Sequence, residues 1–225
     1  MRQFTERLPK ALIPVNGVPF AGHQLAWLAA QGIKDIVYSI GYRGEMIRSY
    51  VGDGSAWGLS VKYLEDGPTL LGTAGALRRG LDWGVVESPF LVLYGDAYLP
   101  IDYPSVVEAF FAAGLPGLMT VYRNADAWAP SNAVFSQGMV RLYDKRPEHR
   151  CSDMSYIDYG LSVLTAGPFE EAVEADLSDV VRRLSVEGRL AGYEVTQRFF
   201  EVGSPTGLAD LERALAASGT GQGIS

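Results

Sequence analysis

The sequence predicts an α/β fold, and three observations carry that prediction. Short runs rich in β-branched and aromatic residues, such as Asp35-Ile36-Val37-Tyr38-Ser39-Ile40 and Phe90-Leu91-Val92-Leu93-Tyr94, read as buried strands. Between them lie stretches whose apolar residues recur at helical spacing, and the two kinds of segment alternate through the first half of the chain. Glycines mark the junctions, Gly32 ending a helix and Gly41 ending a strand. Such alternation is the pattern of a largely parallel sheet with helices on both faces.

In chain order, residues 15–19 form a turn, and residues 20–31 place Leu25, Leu28 and Ala29 at helical spacing. A strand over 35–40, a short helix over 44–51, a strand over 59–64, a helix over 73–81 and a strand over 90–94 follow. The second half changes character. Strands are predicted over 118–122 and 133–135, with Ser136-Gln137-Gly138 as a hairpin turn into a strand over 139–143. A strand over 157–164, a helix over 177–187, a strand over 190–195, the short apolar strand Phe199-Phe200 and a closing helix over 205–217 complete the series.

Size and composition bound the classes of function. A chain of 225 residues supports one well-cored domain, taken as residues 1–217, and the small polar residues of 218–225 read as a frayed tail. With 48% apolar and 20% charged residues the chain is an ordinary globular sequence. No apolar stretch is long enough to cross a bilayer and no signal peptide opens the chain, so a cytoplasmic location is the default expectation, with no membrane partner. Cys151 is the single cysteine and has no partner for an internal disulfide. A net charge of −7 disfavours nucleic acid, whose polyanion demands a basic face. It leaves room for a small anionic substrate held by local cations and a metal. No Gly-x-Gly-x-x-Gly run follows a strand, which counts against a dinucleotide-dependent oxidoreductase.

In open parallel sheets, ligands bind at the carboxyl ends of strands, so the residues just beyond each strand are the first candidates. After the strand ending at Tyr94 come Gly95 and Asp96: a carboxylate that could hold a hard cation, behind a glycine that admits a ligand to the backbone. The same pair could merely turn the chain or cap a helix. Glu201 follows Phe199-Phe200 at a second strand end, ahead of Ser204-Pro205, and is a surface turn residue unless Asp96 faces it. Lys10 and Lys145 are two of four lysines, Lys145 ending the strand over 139–143; each could neutralise a phosphate or simply be solvated. Gly72-Thr73-Ala74-Gly75-Ala76-Leu77 is a small-residue helix start with room for a flat or anionic ligand, or only for close packing. Neither His23, His149 nor Cys151 falls in a pattern suggesting a catalytic triad.

Taken together, Pro9-Lys10-Ala11-Leu12-Ile13-Pro14-Val15, Gly72 to Leu77, Gly95-Asp96, Asp144-Lys145, Asp158-Tyr159-Gly160 and Glu201-Val202-Gly203-Ser204-Pro205 resemble, in order, the motifs of the sugar nucleotidyltransferases. The resemblance implies a three-layer α/β/α Rossmann-like fold with a mostly parallel mixed sheet. It implies transfer of a nucleotidyl group from a nucleoside triphosphate to a sugar 1-phosphate, with release of pyrophosphate and Mg2+ as cofactor. By the same resemblance Lys10 contacts the nucleotide phosphates, Gly72, Thr73 and Gly95 belong to the nucleotide site, and Asp96 is the first metal ligand. Lys145 grips the sugar phosphate, and Asp144, Asp158 and Gly160 line the sugar pocket. Glu201 stands where the family normally has a second metal-binding aspartate, one methylene shorter.

The opening Met1-Arg2-Gln3-Phe4-Thr5-Glu6 resembles the phrase that follows the family's first strand and glycine-rich triphosphate loop. On that resemblance Met1 is an internal methionine or the chain is truncated; the rival is a natural short form that has lost catalysis and binds nucleotide sugars. Glu65 to Leu71 and Tyr156 to Gly160 resemble the mannose- and heptose-1-phosphate guanylyltransferase type more than the thymidylyl type, with base and sugar otherwise open. A homo-oligomer is compatible with the sequence and is not specified by it.

Overall fold

The computed structural model describes residues 8–41, 43–65, 71–127, 129–170 and 174–218. The opening phrase, most of the stretch between Glu65 and Leu71 and nearly all of the tail lie outside these. Two compact units are formed, one from 1–63, 94–100 and 199–225, the other from 64–93 and 101–198. No helix among the described residues is long and apolar enough to cross a membrane.

The first unit opens with a single 3₁₀ turn, Lys10–Leu12, and a hairpin of β1 (Pro14–Val15) and β2 (Val18–Pro19). Asn16 and Gly17 both adopt positive φ, 48° and 81°, the geometry a two-residue hairpin turn requires. Helix α1 (Phe20–Ala30) follows at once, and Phe20, Ala21 and Leu25 are fully buried. Strand β3 (Asp35–Ile40) pairs with β4 (Ser60–Glu65), whose last two residues open the second unit, and α2 (Gly44–Val51) lies between them in sequence. Leu25, Val51, Leu59 and Val61 gather into one apolar cluster. A second cluster joins Val15, Phe20 and Val202 to Leu211, on the closing helix α7 (Pro205–Ser218).

In the second unit, six strands line up in the order β5 (Phe90–Leu93), β10 (Tyr156–Leu164), β7 (Gly117–Arg123), β11 (Leu190–Val195), β9 (Met139–Tyr143), β8 (Ala133–Ser136). Strand β7 is buried along its first five residues irrespective of side-chain direction, so both its faces are covered. Helices α3 (Gly72–Asp82), α4 (Tyr103–Ala113), α5 (Gly167–Glu170) and α6 (Leu177–Val186) belong to this unit. Met119, Val121, Val140, Val180, Leu184 and Leu190, all fully buried, form the centre of its core.

The expectation of a mostly parallel sheet is corrected. Among the described residues of this sheet β7 and β11 make the one parallel ladder, whereas β10 pairs antiparallel with β5 and β7, and β9 antiparallel with β8 and β11. Strands β5, β7 and β11 do point the same way, as an α/β alternation demands. Strand β10 inserts between β5 and β7 in the opposite sense, and β8–β9 is a hairpin, so shared direction does not become adjacency.

Candidate active site

In the first unit the chain brings together three candidates that lie far apart in sequence. Strand β6 (Ala97–Tyr98) pairs antiparallel with β12 (Phe200–Glu201), setting Ala97 opposite Glu201. Asp96 immediately precedes that pair, and the Val202 amide donates to the Asp96 carbonyl at 3.1 Å. Asp96 is thus a backbone neighbour of Glu201 across this ribbon. Lys10 Nζ lies 2.9 Å from Asp96 Oδ2, with side chains 47% and 33% exposed. A pair so exposed contributes at most about 1 kcal/mol, so it opens readily.

Gly203 shows how closely these groups converge. A Cβ placed on it would lie 3.0 Å from Glu201 Oε2 and 3.4 Å from Lys10 Nζ. The small space between the acid and the ammonium exists because position 203 carries no side chain. Ser204 Oγ donates to Glu201 Oε1 at 3.1 Å, turning one carboxylate oxygen away and leaving Oε2 toward this space. The two carboxylates are hard oxygen donors suited to a divalent cation, and the ammonium suits phosphate oxygens beside it. At Gly95, nothing among the described residues lies within 4 Å of a Cβ position, which leaves the backbone there open to a ligand.

The second unit gathers the remaining candidates. The β10–β7 register shifts by two residues between Asp158 and Ser162, with Gly160 at φ 107°, a value that favours glycine. Thr120 Oγ1 fills the bulge, donating to the Leu161 carbonyl at 2.7 Å and accepting from the Leu161 amide. The distortion presents Asp158, whose Oδ2 accepts from the Tyr143 hydroxyl at 3.1 Å and lies 3.4 Å from Lys145 Nζ. Its Oδ1 accepts from the Gly160 amide at 3.0 Å, and Asn132 Oδ1 accepts from the Asp158 amide at 2.9 Å. Lys145 remains 42% exposed, its ammonium beside the Asp158 carboxylate and partly open to solvent.

Asp144 is buried and turned the other way. It accepts from the Arg146 amide and guanidinium, Nε at 2.8 Å, and pairs with His149 Nδ1 at 2.9 Å. The Arg146 guanidinium holds its carboxyl far below the usual carboxylate range. Asp144 thus clips the segment on either side of Lys145. Gly72 has φ 74°, and a Cβ there would lie 2.4 Å from the Ala175 carbonyl oxygen, which accepts from the Ala74 amide at 2.9 Å. Thr73 Oγ1 accepts from the Leu177 amide at 2.7 Å. Hydrogen bonds from Ser178, with smaller contributions from Lys145 and Thr73, hold the Asp176 carboxyl below its ordinary range, linking the start of α3 to the Lys145 neighbourhood.

Sequence reasoning missed Tyr143, Asn132, Arg146, His149 and Asp176. Arg146 and His149 stand two and five residues from Asp144, a local signal that could have been read; Asn132 and Tyr143 join Asp158 only through strand pairing. His23 Nε2 lies 2.9 Å from the Val15 carbonyl and Cys151 is exposed.

The sequence model of the nucleotidyl transferase family matches residues 1–211, and the chain belongs to that family. Among its relatives, the N-acetylmuramate alpha-1-phosphate uridylyltransferase of Neisseria meningitidis is 28% identical over 97% of this chain and 93% of its own length. The D-glycero-alpha-D-manno-heptose 1-phosphate guanylyltransferase of Campylobacter jejuni is 33% identical over 45% of this chain and 44% of its own length. The solved structure of HddC from Yersinia pseudotuberculosis shares the fold with a TM-score of 0.76, at 18% identity over 92% of this chain and 90% of that one. That of a putative glucose-1-phosphate thymidylyltransferase from Bacillus anthracis does so with a TM-score of 0.79, at 21% identity over 98% and 91%.

Proposed function

We propose that the chain transfers a nucleotidyl group from a nucleoside triphosphate to a sugar 1-phosphate. An oxygen of the sugar phosphate attacks the α-phosphorus, the bond from that phosphorus to the bridging oxygen breaks, and pyrophosphate leaves with the electron pair. No protein nucleophile and no redox step is needed, so catalysis rests on orientation and on stabilising charge. The observation that carries this reading is the convergence of Lys10, Asp96 and Glu201 on one small space.

Asp96 and Glu201 are the residues that would hold Mg2+, which when bound neutralises phosphate charge. Lys10, weakly tied to Asp96, is free to exchange that carboxylate for a triphosphate oxygen. Lys145, aimed by Asp158 and Tyr143, supplies a cation for the sugar phosphate. Gly95 leaves backbone accessible to the nucleotide, and Gly72-Thr73 opens the helix assigned to the nucleotide side. Asp158 and Gly160 line the sugar side, with Asp144 shaping it from behind.

Two substrate pairs compete. The relative matched along nearly its whole length is a uridylyltransferase acting on an N-acetylmuramate 1-phosphate, which favours UTP. The heptose 1-phosphate guanylyltransferase match is shorter and favours GTP. Pyrophosphate release from four nucleoside triphosphates, each with a panel of sugar 1-phosphates and Mg2+, decides between them. Release that depends on both substrates supports the reading. Binding of a nucleotide sugar with no release under any pairing replaces it with a nucleotide-sugar binding role.

A further inference from the structure

Gln24 lies in the interior of α1 and is 4% exposed, so its amide must find partners within the protein. Nε2 donates to the Tyr94 carbonyl at 3.1 Å and to the Ala97 carbonyl at 2.9 Å. Oε1 accepts from the Tyr38 hydroxyl at 3.4 Å. The two carbonyls flank Gly95 and Asp96, so a single side chain bridges the turn that carries the candidate metal ligand. Apart from its chain neighbours, no atom of the described residues lies within 4 Å of a Cβ position at Gly95, so hydrogen bonds hold the turn where side-chain packing does not reach it. The Ala97 amide on the Tyr94 carbonyl and the Val202 amide on the Asp96 carbonyl, both 3.1 Å, restrain it as well.

We infer that Gln24 is a positioning residue: it fixes the Gly95-Asp96 turn and so holds the Asp96 carboxylate against Lys10, whose ammonium borders the same space at Gly203 as Glu201, and this rests on the nucleotidyl-transfer reading. Helix α1 provides a rigid mount, since Phe20, Ala21 and Leu25 are fully buried around Gln24. The two carbonyls can only accept and so take both Nε2 hydrogens, which turns Oε1 toward the Tyr38 hydroxyl; burial pushes that phenol far up, so it keeps the proton it donates. A mount of this kind matters because a reacting group misplaced by about 1 Å costs on the order of a hundredfold in rate.

The test compares Gln24→Leu and Tyr38→Phe with the wild-type chain by hydrogen exchange and by the Mg2+ dependence of turnover. Gln24→Leu is expected to speed exchange of the Ala97 and Val202 amides roughly tenfold to a hundredfold, with β7 amides unchanged. It is also expected to lower kcat by about 10- to 100-fold and raise the half-saturating Mg2+ concentration, while KM for the sugar phosphate holds. Tyr38→Phe keeps both donors but frees the amide to rotate, so it falls between. Wild-type exchange at Ala97 and Val202, or faster exchange with unaltered Mg2+ dependence, overturns the inference. If Gln24→Leu does not fold, Tyr38→Phe decides by the same two criteria. If the wild-type chain shows no turnover, the functional reading fails by itself, and the exchange data alone uphold or overturn the bracing of the turn.

Discussion

Gly72 and Gly95 both stand among the candidate nucleotide-site residues, yet the structure gives them opposite reasons to be glycine. At Gly72, φ is 74° and a Cβ would lie 2.4 Å from the Ala175 carbonyl oxygen. Gly72→Ala therefore incurs a left-handed backbone penalty of about 1–2 kcal/mol. The clash with backbone, which cannot swing aside as a side chain would, adds about 1–3 kcal/mol. The expected destabilisation is about 2–5 kcal/mol, a drop in Tm of roughly 5–15 °C for a chain of this size. At Gly95 there is no positive φ and, among the described residues, no neighbour within 4 Å of a Cβ position, so Gly95→Ala should unfold within about 0.5 kcal/mol of the wild type. Its methyl instead occupies space offered to the nucleotide, raising KM for the triphosphate. Thermal and urea unfolding of both variants, with KM for Gly95→Ala, tests the contrast. A Gly72→Ala protein as stable as wild type would refute the steric reasoning, and a Gly95→Ala protein with unaltered nucleotide KM would refute the assignment of open backbone to the ligand.

Other substitutions probe the remaining parts. Asp144→Asn should cost about 1–3 kcal/mol at neutral pH by weakening the hydrogen bonds from Arg146 and His149. Because the folded-state pKa of Asp144 is depressed, its contribution is present above the unfolded carboxylate value and fades as pH falls from about 4 toward the folded value. Urea melts of the two proteins should therefore converge in acid; a constant gap would count against the ion-paired carboxylate. Lys145→Met should lower kcat/KM for the sugar phosphate by about 10²–10³ with little change in Tm, since the lysine is 42% exposed. Tyr143→Phe should show a smaller kinetic loss by removing one of the bonds that aim Asp158, and an unchanged sugar-phosphate KM would remove Tyr143 from the account.

Much of this fold was legible because its elements are local. The strands at Asp35–Ile40, Met139–Tyr143 and Leu190–Val195 and the helix at Gly44–Val51 coincide with the spans predicted from periodicity and glycine punctuation. Helix Tyr103–Ala113 is not among the predicted elements, although it has its signals: an Asp102 side chain accepting from the Ser105 amide, Pro104 in the first turn and Gly114 in the left-handed region. Strand order was illegible because alternation dictates direction while long-range pairing chooses neighbours. The two units carry no linker signature because the chain passes back and forth between them. At the site, strand ends located Asp96 and Glu201 separately. Their juxtaposition depends on a ribbon of two residues per strand that no local pattern announces. Gln24 is harder still: a polar residue in a helix reads as surface until the carbonyls of the Gly95-Asp96 turn are seen to require it.

The central claim is tested most directly by following the reaction of a nucleoside triphosphate and a sugar 1-phosphate with Mg2+ by phosphorus NMR, on the wild-type chain and on Asp96→Asn. The account predicts that triphosphate and sugar phosphate disappear together while pyrophosphate and the nucleoside diphosphate sugar grow in equal amounts, and that Asp96→Asn slows all four changes alike. Triphosphate breakdown without consumption of sugar phosphate, or transfer undiminished in Asp96→Asn, would contradict it.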